Sequence, residues 1–231
     1  VALCTPLVAW AIALRLPAVP GSAGQQRVPF HRVLGLIWRP GLVKVIARHA
    51  WKLESVAYQA RRLVVTMPLP LLQAGALRFE PELPELSDSL NAMEMGHVQR
   101  MVFRFRSRFW EKLSKDPLSF LHGSPDFYFP TWWTNMPLRV PFLTAWQGGP
   151  KALEMAGWTI HEKGRAALET LALLTGEKIS FLESQVESVF HHDWSQDPAS
   201  RGAYSYVLTD GLSRAKRIAE PFAAATIYFA G

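Results

Sequence analysis

Apolar and polar positions change rhythm several times along the chain, and each change marks an expected element. Residues 33–38 and 42–46 are short β-rich runs separated by Arg39-Pro40-Gly41, a turn signal, so they should pair as a hairpin. Residues 62–67 centre on the apolar run Leu63-Val64-Val65 and are ended by Pro68 and Pro70, the pattern of a strand buried on both faces. Residues 83–95 read as a helix, with Pro84 near its start and Gly96 past its end. Over 98–105 the period falls to two: Gln99, Met101, Phe103 and Phe105 share one face, while Arg100 and Arg104 share the other. Aromatic strands are expected at 127–133 and 140–146, and Gly148-Gly149-Pro150 should open a helix. Ile160, Gly164, Ala167, Leu168, Leu171 and Leu174 then recur at helical spacing, with Gly176 as the cap. A strand at 185–190, an irregular polar segment at 193–202 and a strand-like run at 222–230 complete the series. Strands interleaved with a few helices and no internal repeat define a mixed α/β or α+β fold.

Composition narrows the class without naming a function. With 231 residues, 49% hydrophobic and 19% charged, the chain buries a real core, which excludes a disordered tail, a collagen-like repeat and a small disulfide scaffold. Cys4 is the single cysteine, so neither an internal disulfide nor a thiolate metal cluster is available. A net charge of +6 suits an anionic ligand, a nucleic acid or a membrane surface equally. The apolar opening reaches Arg15 after 14 residues, short of the ~20 that a membrane span needs. It also lacks the charged start of a signal peptide, and it is read as an ordinary buried segment. With nothing asking for a bilayer and one cysteine fitting a reducing compartment, the expected location is cytoplasmic.

Self-sufficient catalytic motifs are absent: there is no G-x-G-x-x-G, no G-x-x-x-x-G-K-[ST], no H-E-x-x-H and no G-x-S-x-G. His191-His192-Asp193 resembles a metal-ligand cluster only superficially, because neighbouring side chains on a strand diverge. No metal site is expected. Arg100, Arg104, Arg106 and Arg108, interleaved with Phe103, Phe105, Phe109 and Trp110, admit two readings: a nucleic-acid surface, or a strand with one buried face and solvated arginines. The second is the simpler one.

Three stretches carry more information. They are Val64-Val65-Thr66-Met67-Pro68-Leu69-Pro70 with Met95-Gly96-His97-Val98 further on, then Leu143-Thr144-Ala145-Trp146-Gln147-Gly148-Gly149-Pro150, then 194–206 with Ile227-Tyr228-Phe229-Ala230-Gly231 behind it. The third, W-x-x-D-P-x-x-x-G-x-Y-S-Y, is long and unusual in composition. In this order and spacing they resemble the flavin-containing amine oxidases, the family of monoamine and polyamine oxidases and their bacterial relatives. The resemblance covers residues 32–231. It implies an internal fragment, because the family's opening Rossmann glycines are missing and the chain stops at Gly231, the glycine of a closing Gly-Glu pair. Such a fragment should be inactive alone. The resemblance divides the chain into an unassigned segment (1–31), strands returning to the FAD domain (32–75), a substrate domain (76–190) and a second return to the FAD domain (191–231).

The same resemblance assigns roles. Val33 matches a valine whose backbone touches the FAD adenine, and Trp194 and Gly231 are further cofactor contacts. Tyr204 is one wall of an aromatic cage beside the flavin, where ring faces orient an amine, and Trp146 is a further substrate contact. Ala203 stands where relatives with covalent flavin carry a cysteine, which implies non-covalent FAD. Arg100 stands where many members carry a lysine that holds a water against flavin N5; arginine keeps the charge, does not deprotonate, and puts reoxidation by oxygen in question. The implied function is oxidation of a C–H beside an amine nitrogen by hydride transfer to flavin, with a small-molecule amine as substrate and no nucleic-acid or membrane partner. Two alternatives stay open at this point: a desaturase or porphyrinogen-type oxidase on the same fold, and a non-catalytic basic nucleic-acid-binding domain.

Overall fold

The computed structural model describes residues 13–14, 31–49, 51–52 and 54–230. Readings that fall on Cys4, on the remainder of the opening segment and on Gly231 lie outside the described residues. The described residues form two compact units: those within 1–95 together with Pro198–Arg201 and 205–230, and Gly96–Asp197 with Gly202–Tyr204.

The first unit begins with β1 (Ala13–Leu14), β2 (His31–Arg39) and β3 (Leu42–His49). The last two pair antiparallel as the hairpin expected from Arg39-Pro40-Gly41. Gly41 takes φ +74°, a left-handed conformation that side chains with a Cβ resist. Its N–H donates to Thr226 Oγ1 at 2.8 Å. Next come β4 (Ser55–Ala60), β5 (Leu63–Val65), α1 (Leu69–Gln73), β6 (Arg78–Glu80), α2 (Pro84–Leu90) and β7 (Met93–Met95). The helix expected over 83–95 therefore stops at Leu90. Residues 93–95 are instead a strand, because they pair with Ser205–Val207, a partner far away in sequence. Strand β4, α1 and β6 carry no pattern strong enough to have been expected.

The chain then crosses the second unit. It forms β8 (Val98–Phe105), β9 (Phe120–His122), β10 (Thr131–Thr134), β11 (Phe142–Gly148), α3 (Pro150–Glu154), α4 (Ile160–Thr175), α5 (Ile179–Gln185) and β12 (Val186–His191). The five strands make one antiparallel sheet in the order β12-β8-β11-β10-β9. The aromatic run at 127–133 is only partly strand; Phe127 lies in a turn and pairing begins at Thr131.

Helix α4 starts at a capping box. Thr159 Oγ1 accepts from the Glu162 N–H, and the Glu162 carboxylate accepts from the Thr159 N–H at 2.7 Å. It ends on Gly176 in the left-handed conformation, φ +70°. Its Gly164 lies against Met101, so the helix covers the Gln99–Met101–Phe103–Phe105 face of β8. Met101, Phe103, Phe105, Trp132, Leu143, Ala167, Leu171 and Leu182 fill that interface and are fully buried. Ile160 was expected in the same stripe but is exposed. Lys163 occupies the buried position instead, on one face with Ala167 and Leu171 at four-residue spacing.

Returning to the first unit, the chain adds β13 (Ser205–Val207), α6 (Leu212–Lys216) and β14 (Ile227–Phe229). Strand β14 runs parallel to β5 in the sheet β1-β5-β14. Of the run 222–230 only those three residues are strand, joined by the buried side chain of Phe222 packing against Phe229. Helices and sheets segregate as an α+β fold, as the pattern implied.

Candidate functional site

The second unit brings motifs from three parts of the sequence to one dipeptide, Gly96-His97. The Gly96 N–H donates to the Tyr204 carbonyl at 2.7 Å, and the Ala203 N–H donates to the Gly96 carbonyl at 3.1 Å. The His97 carbonyl accepts from the Gly149 N–H at 3.0 Å. The Gly202 N–H closes the 194–202 loop on the Trp194 carbonyl at 3.1 Å. Backbone hydrogen bonds, which must be satisfied wherever the chain is sheltered, thus tie Tyr204 and the Gly-Gly-Pro turn to the start of β8. Side-chain identity matters little to these ties, so residue patterns alone do not show them.

Arg100 and Trp146 sit directly opposite each other in the β8–β11 register. Cross-strand partners share a face, and this is the face that α4 leaves uncovered. The Arg100 guanidinium lies 5.8 Å from the Trp133 ring centroid. Among the described residues no carboxylate comes within ion-pair distance of it. The Trp146 ring is pressed over Gly148, where an added Cβ would stand 2.5 Å from the ring. Trp194 and Tyr204 are 51% and 67% exposed, so neither is a core aromatic. Val33 lies in the first unit, partly buried and paired with Ala47 in β2–β3, and packs on that unit's own core.

Behind Trp194 is a buried polar network. Asp193 Oδ1 accepts from the N–H and the hydroxyl of Ser195, which makes an Asx turn with Trp194 at its apex. Asp193 Oδ2 accepts from Lys163 Nζ at 3.1 Å and from Gln99 Nε2 at 2.9 Å. The Gln99 amide orientation leaves its Oε1 to accept from His191 Nε2 at 2.8 Å. Burial alone would raise the Asp193 carboxyl, but the hydrogen bonds from Ser195, Gln99 and Lys163 and the lysine charge outweigh it and bring the pKa to about 2. His191 is pushed below its ordinary value by burial and then by the Lys163 charge. His192 turns away, toward Asp197 at 3.2 Å, so the two imidazoles diverge. Among the described residues no group of three or more His, Cys, Asp or Glu side chains could hold a metal ion. Sequence reading missed Lys163 and Gln99 as functional neighbours; only a lysine inside an otherwise apolar helical stripe signals the first.

The arginine stripe is committed to protein acceptors beyond Arg100. Arg104 pairs with Glu187 at 2.9 Å, Arg106 donates to the Ser184 carbonyl at 3.1 Å, and Arg108 meets Glu111 and the Arg139 carbonyl. No helix among the described residues is long and apolar enough to cross a membrane.

This α+β arrangement matches part of the fold of two oxidases of known structure. Wild-type putrescine oxidase bound to putrescine superposes with a TM-score of 0.70 at 19% identity, over 87% of this chain and 42% of that one. Cyclohexylamine oxidase from Brevibacterium oxydans gives 0.67 at 21% identity, over 86% and 42%. Residues 31–231 match the family described as flavin containing amine oxidoreductase, and the chain belongs to that family. Among relatives, lysine-specific histone demethylase 2 of Homo sapiens is 28% identical over 77% of this chain. Polyamine oxidase 5 of Oryza sativa subsp. japonica is 28% identical over 87% of it. The chain spans 22% of the former's length and 38% of the latter's.

A flavin dinucleotide presents a ring system and a pyrophosphate, and the latter is ordinarily cradled by a glycine-rich strand–helix turn. No such fingerprint occurs in these 231 residues. Exposed Tyr204 and Trp194 rings, and an Arg100 cation that meets no carboxylate among the described residues, suit the ring end: aromatic faces for a planar or cationic group, and positive charge for an electron-accepting one.

Proposed function

We propose that this chain supplies the amine-handling side of an FAD-dependent, amine oxidase-like oxidoreductase. The observation that carries the reading is the convergence of the Tyr204, Trp194 and Gly149 segments on Gly96-His97, at the start of the strand that bears Arg100. FAD, when bound, would supply the acceptor for a hydride from the C–H beside an amine nitrogen. Tyr204 presents a ring face that orients the amine, neutral or cationic, and a cationic amine gains cation–π attraction there, worth about 0.5–2 kcal/mol. Trp146, opposite Arg100, adds apolar surface on the same sheet face. Arg100 holds a fixed positive charge that does not titrate and so cannot act as a base. No acid–base side chain is required if the amine arrives neutral.

Val33 through its backbone, Trp194 and Gly231 are the proposed cofactor contacts, and Ala203 leaves the flavin non-covalent. Polyamine oxidases and putrescine oxidase among the relatives support a small-molecule amine as substrate. Anaerobic mixing of the flavin-loaded full-length enzyme with putrescine and with benzylamine tests the reading. Bleaching of the oxidised flavin band by either amine is expected; a band untouched by both overturns it. In a second step oxygen is admitted. Reoxidation should be slow and should accelerate at least tenfold in Arg100→Lys, which restores the compact ammonium able to hold one water.

A further inference from the structure

Lys163 is 2% exposed, and Asp193 Oδ2 is the one acceptor that its ammonium meets among the described residues. A buried charge of this kind is rarely kept for stability, because well-packed apolar residues of similar volume do as well or better. Its geometry suggests another use. One oxygen of Asp193 closes the turn that holds Trp194 at its apex, and the other is bolted to α4 through Lys163 and to β8 through Gln99. Gln99 immediately precedes Arg100, and alternation along β8 sends the two side chains to opposite faces. His191 on β12 steadies the Gln99 amide from the far side. Helix α4, strand β8 and the turn at 193–195 thus meet at one carboxylate, next in sequence to a half-exposed tryptophan.

From this arrangement we infer that Lys163 and Asp193 are positioning residues that fix the Trp194 ring at the candidate flavin site. The inference rests on the proposed function only for what Trp194 touches; the positioning itself is a property of this chain. Both charges must be removed together, since deleting one strands the other in the interior. Lys163→Met/Asp193→Ala is therefore the main variant, and Lys163→Met/Asp193→Asn is the conservative rescue, because the amide oxygen can still accept from Ser195.

The test is fluorine NMR of full-length protein labelled with 5-fluorotryptophan, with the Trp194 line assigned by Trp194→Phe. The wild type should give one sharp Trp194 line. In Lys163→Met/Asp193→Ala that line should shift or split while the buried Trp132 and Trp110 lines stay in place. Lys163→Met/Asp193→Asn should return it most of the way. The FAD dissociation constant, read by fluorescence on dilution, should rise about tenfold in the first variant and less than threefold in the second. A folded Lys163→Met/Asp193→Ala protein with an unmoved Trp194 line overturns the inference, whatever its melting temperature. If that variant does not fold, Ser195→Ala takes its place: it removes one donor to Asp193 and should move the same line, and an unmoved line again overturns the inference. A full-length wild-type enzyme that binds no flavin defeats the cofactor reading, while the Trp194 line still decides the positioning role.

Discussion

The Gly96 N–H donates to the Tyr204 carbonyl at 2.7 Å, and the Gly96 carbonyl takes the Ala203 N–H in return. This two-bond clasp holds the Tyr204 backbone while its ring stays 67% exposed. Backbone and ring therefore separate as targets for mutation. Tyr204→Ala keeps the clasp, and loss of an exposed ring should change stability by less than ~0.5 kcal/mol. If the ring walls an amine cage, flavin reduction by amine should slow about five- to thirty-fold, equivalent to ~1–2 kcal/mol. Tyr204→Phe should keep most of the rate, since the ring face does the work. Stopped-flow reduction and melting temperature measured on both variants decide the matter; unchanged reduction kinetics in Tyr204→Ala would remove the cage.

Ala203 bears on how the cofactor is held. With no thiol at this position, acid precipitation of the flavin-loaded protein should leave FAD in the supernatant. Flavin that pellets with the protein contradicts non-covalent attachment.

The parts of the fold visible in the sequence were those governed by local rules. The period-two stripe of β8, the Pro40-Gly41 turn and the Gly176 cap each follow from short-range sterics or burial of one face. Errors fell where distant partners decide. Residues 93–95 carry helix-like patterning, but Asn91 ends the helix and Ser205–Val207 captures them as a strand. Arg100, Trp146, Trp194 and Tyr204 were legible as candidates through motif resemblance, and the hydrogen bonds that assemble their segments are main-chain bonds that leave no side-chain signature. Lys163 was illegible for another reason: a lysine on a helix reads as solvated, and only the carboxylate at Asp193, thirty residues on, makes burial tolerable.

Helix α4 supports the face of β8 opposite Arg100, and its N-terminus depends on the reciprocal Thr159–Glu162 bonds. Thr159→Ala removes the acceptor for the Glu162 N–H and should destabilise the protein by about 1 kcal/mol. Thr159→Ser should restore nearly all of it, because the hydroxyl is retained. Denaturant midpoints at constant m-value check both; equal stability of wild type and Thr159→Ala would show that the box contributes nothing.

Acid should act on this molecule in two stages, both centred on the Asp193 network. His191 titrates below its ordinary value of 6.5 because burial and the Lys163 charge oppose its protonation. Its unfolded form therefore binds protons first as pH falls, and stability declines from about pH 6.5 downward. Asp193 titrates at about 2 against 3.8 for the free side chain. The carboxylate's contribution is complete above the unfolded value and is lost as pH drops from 3.8 through 2, a gap worth about 2 kcal/mol. The groups facing this pair are Lys163 from α4, Gln99 from β8, and His192 and Ser195 from the adjoining turn. In Lys163→Met/Asp193→Asn the lower stage should shrink to what Glu162, also held low by its hydrogen bonds from Thr159, leaves behind, and the upper one should weaken, since the opposing ammonium is gone. Urea unfolding at pH values from 7 to 3 reads the slopes directly. An unchanged slope between pH 4 and 3 in that variant would place the acid-sensitive carboxylate elsewhere in the molecule.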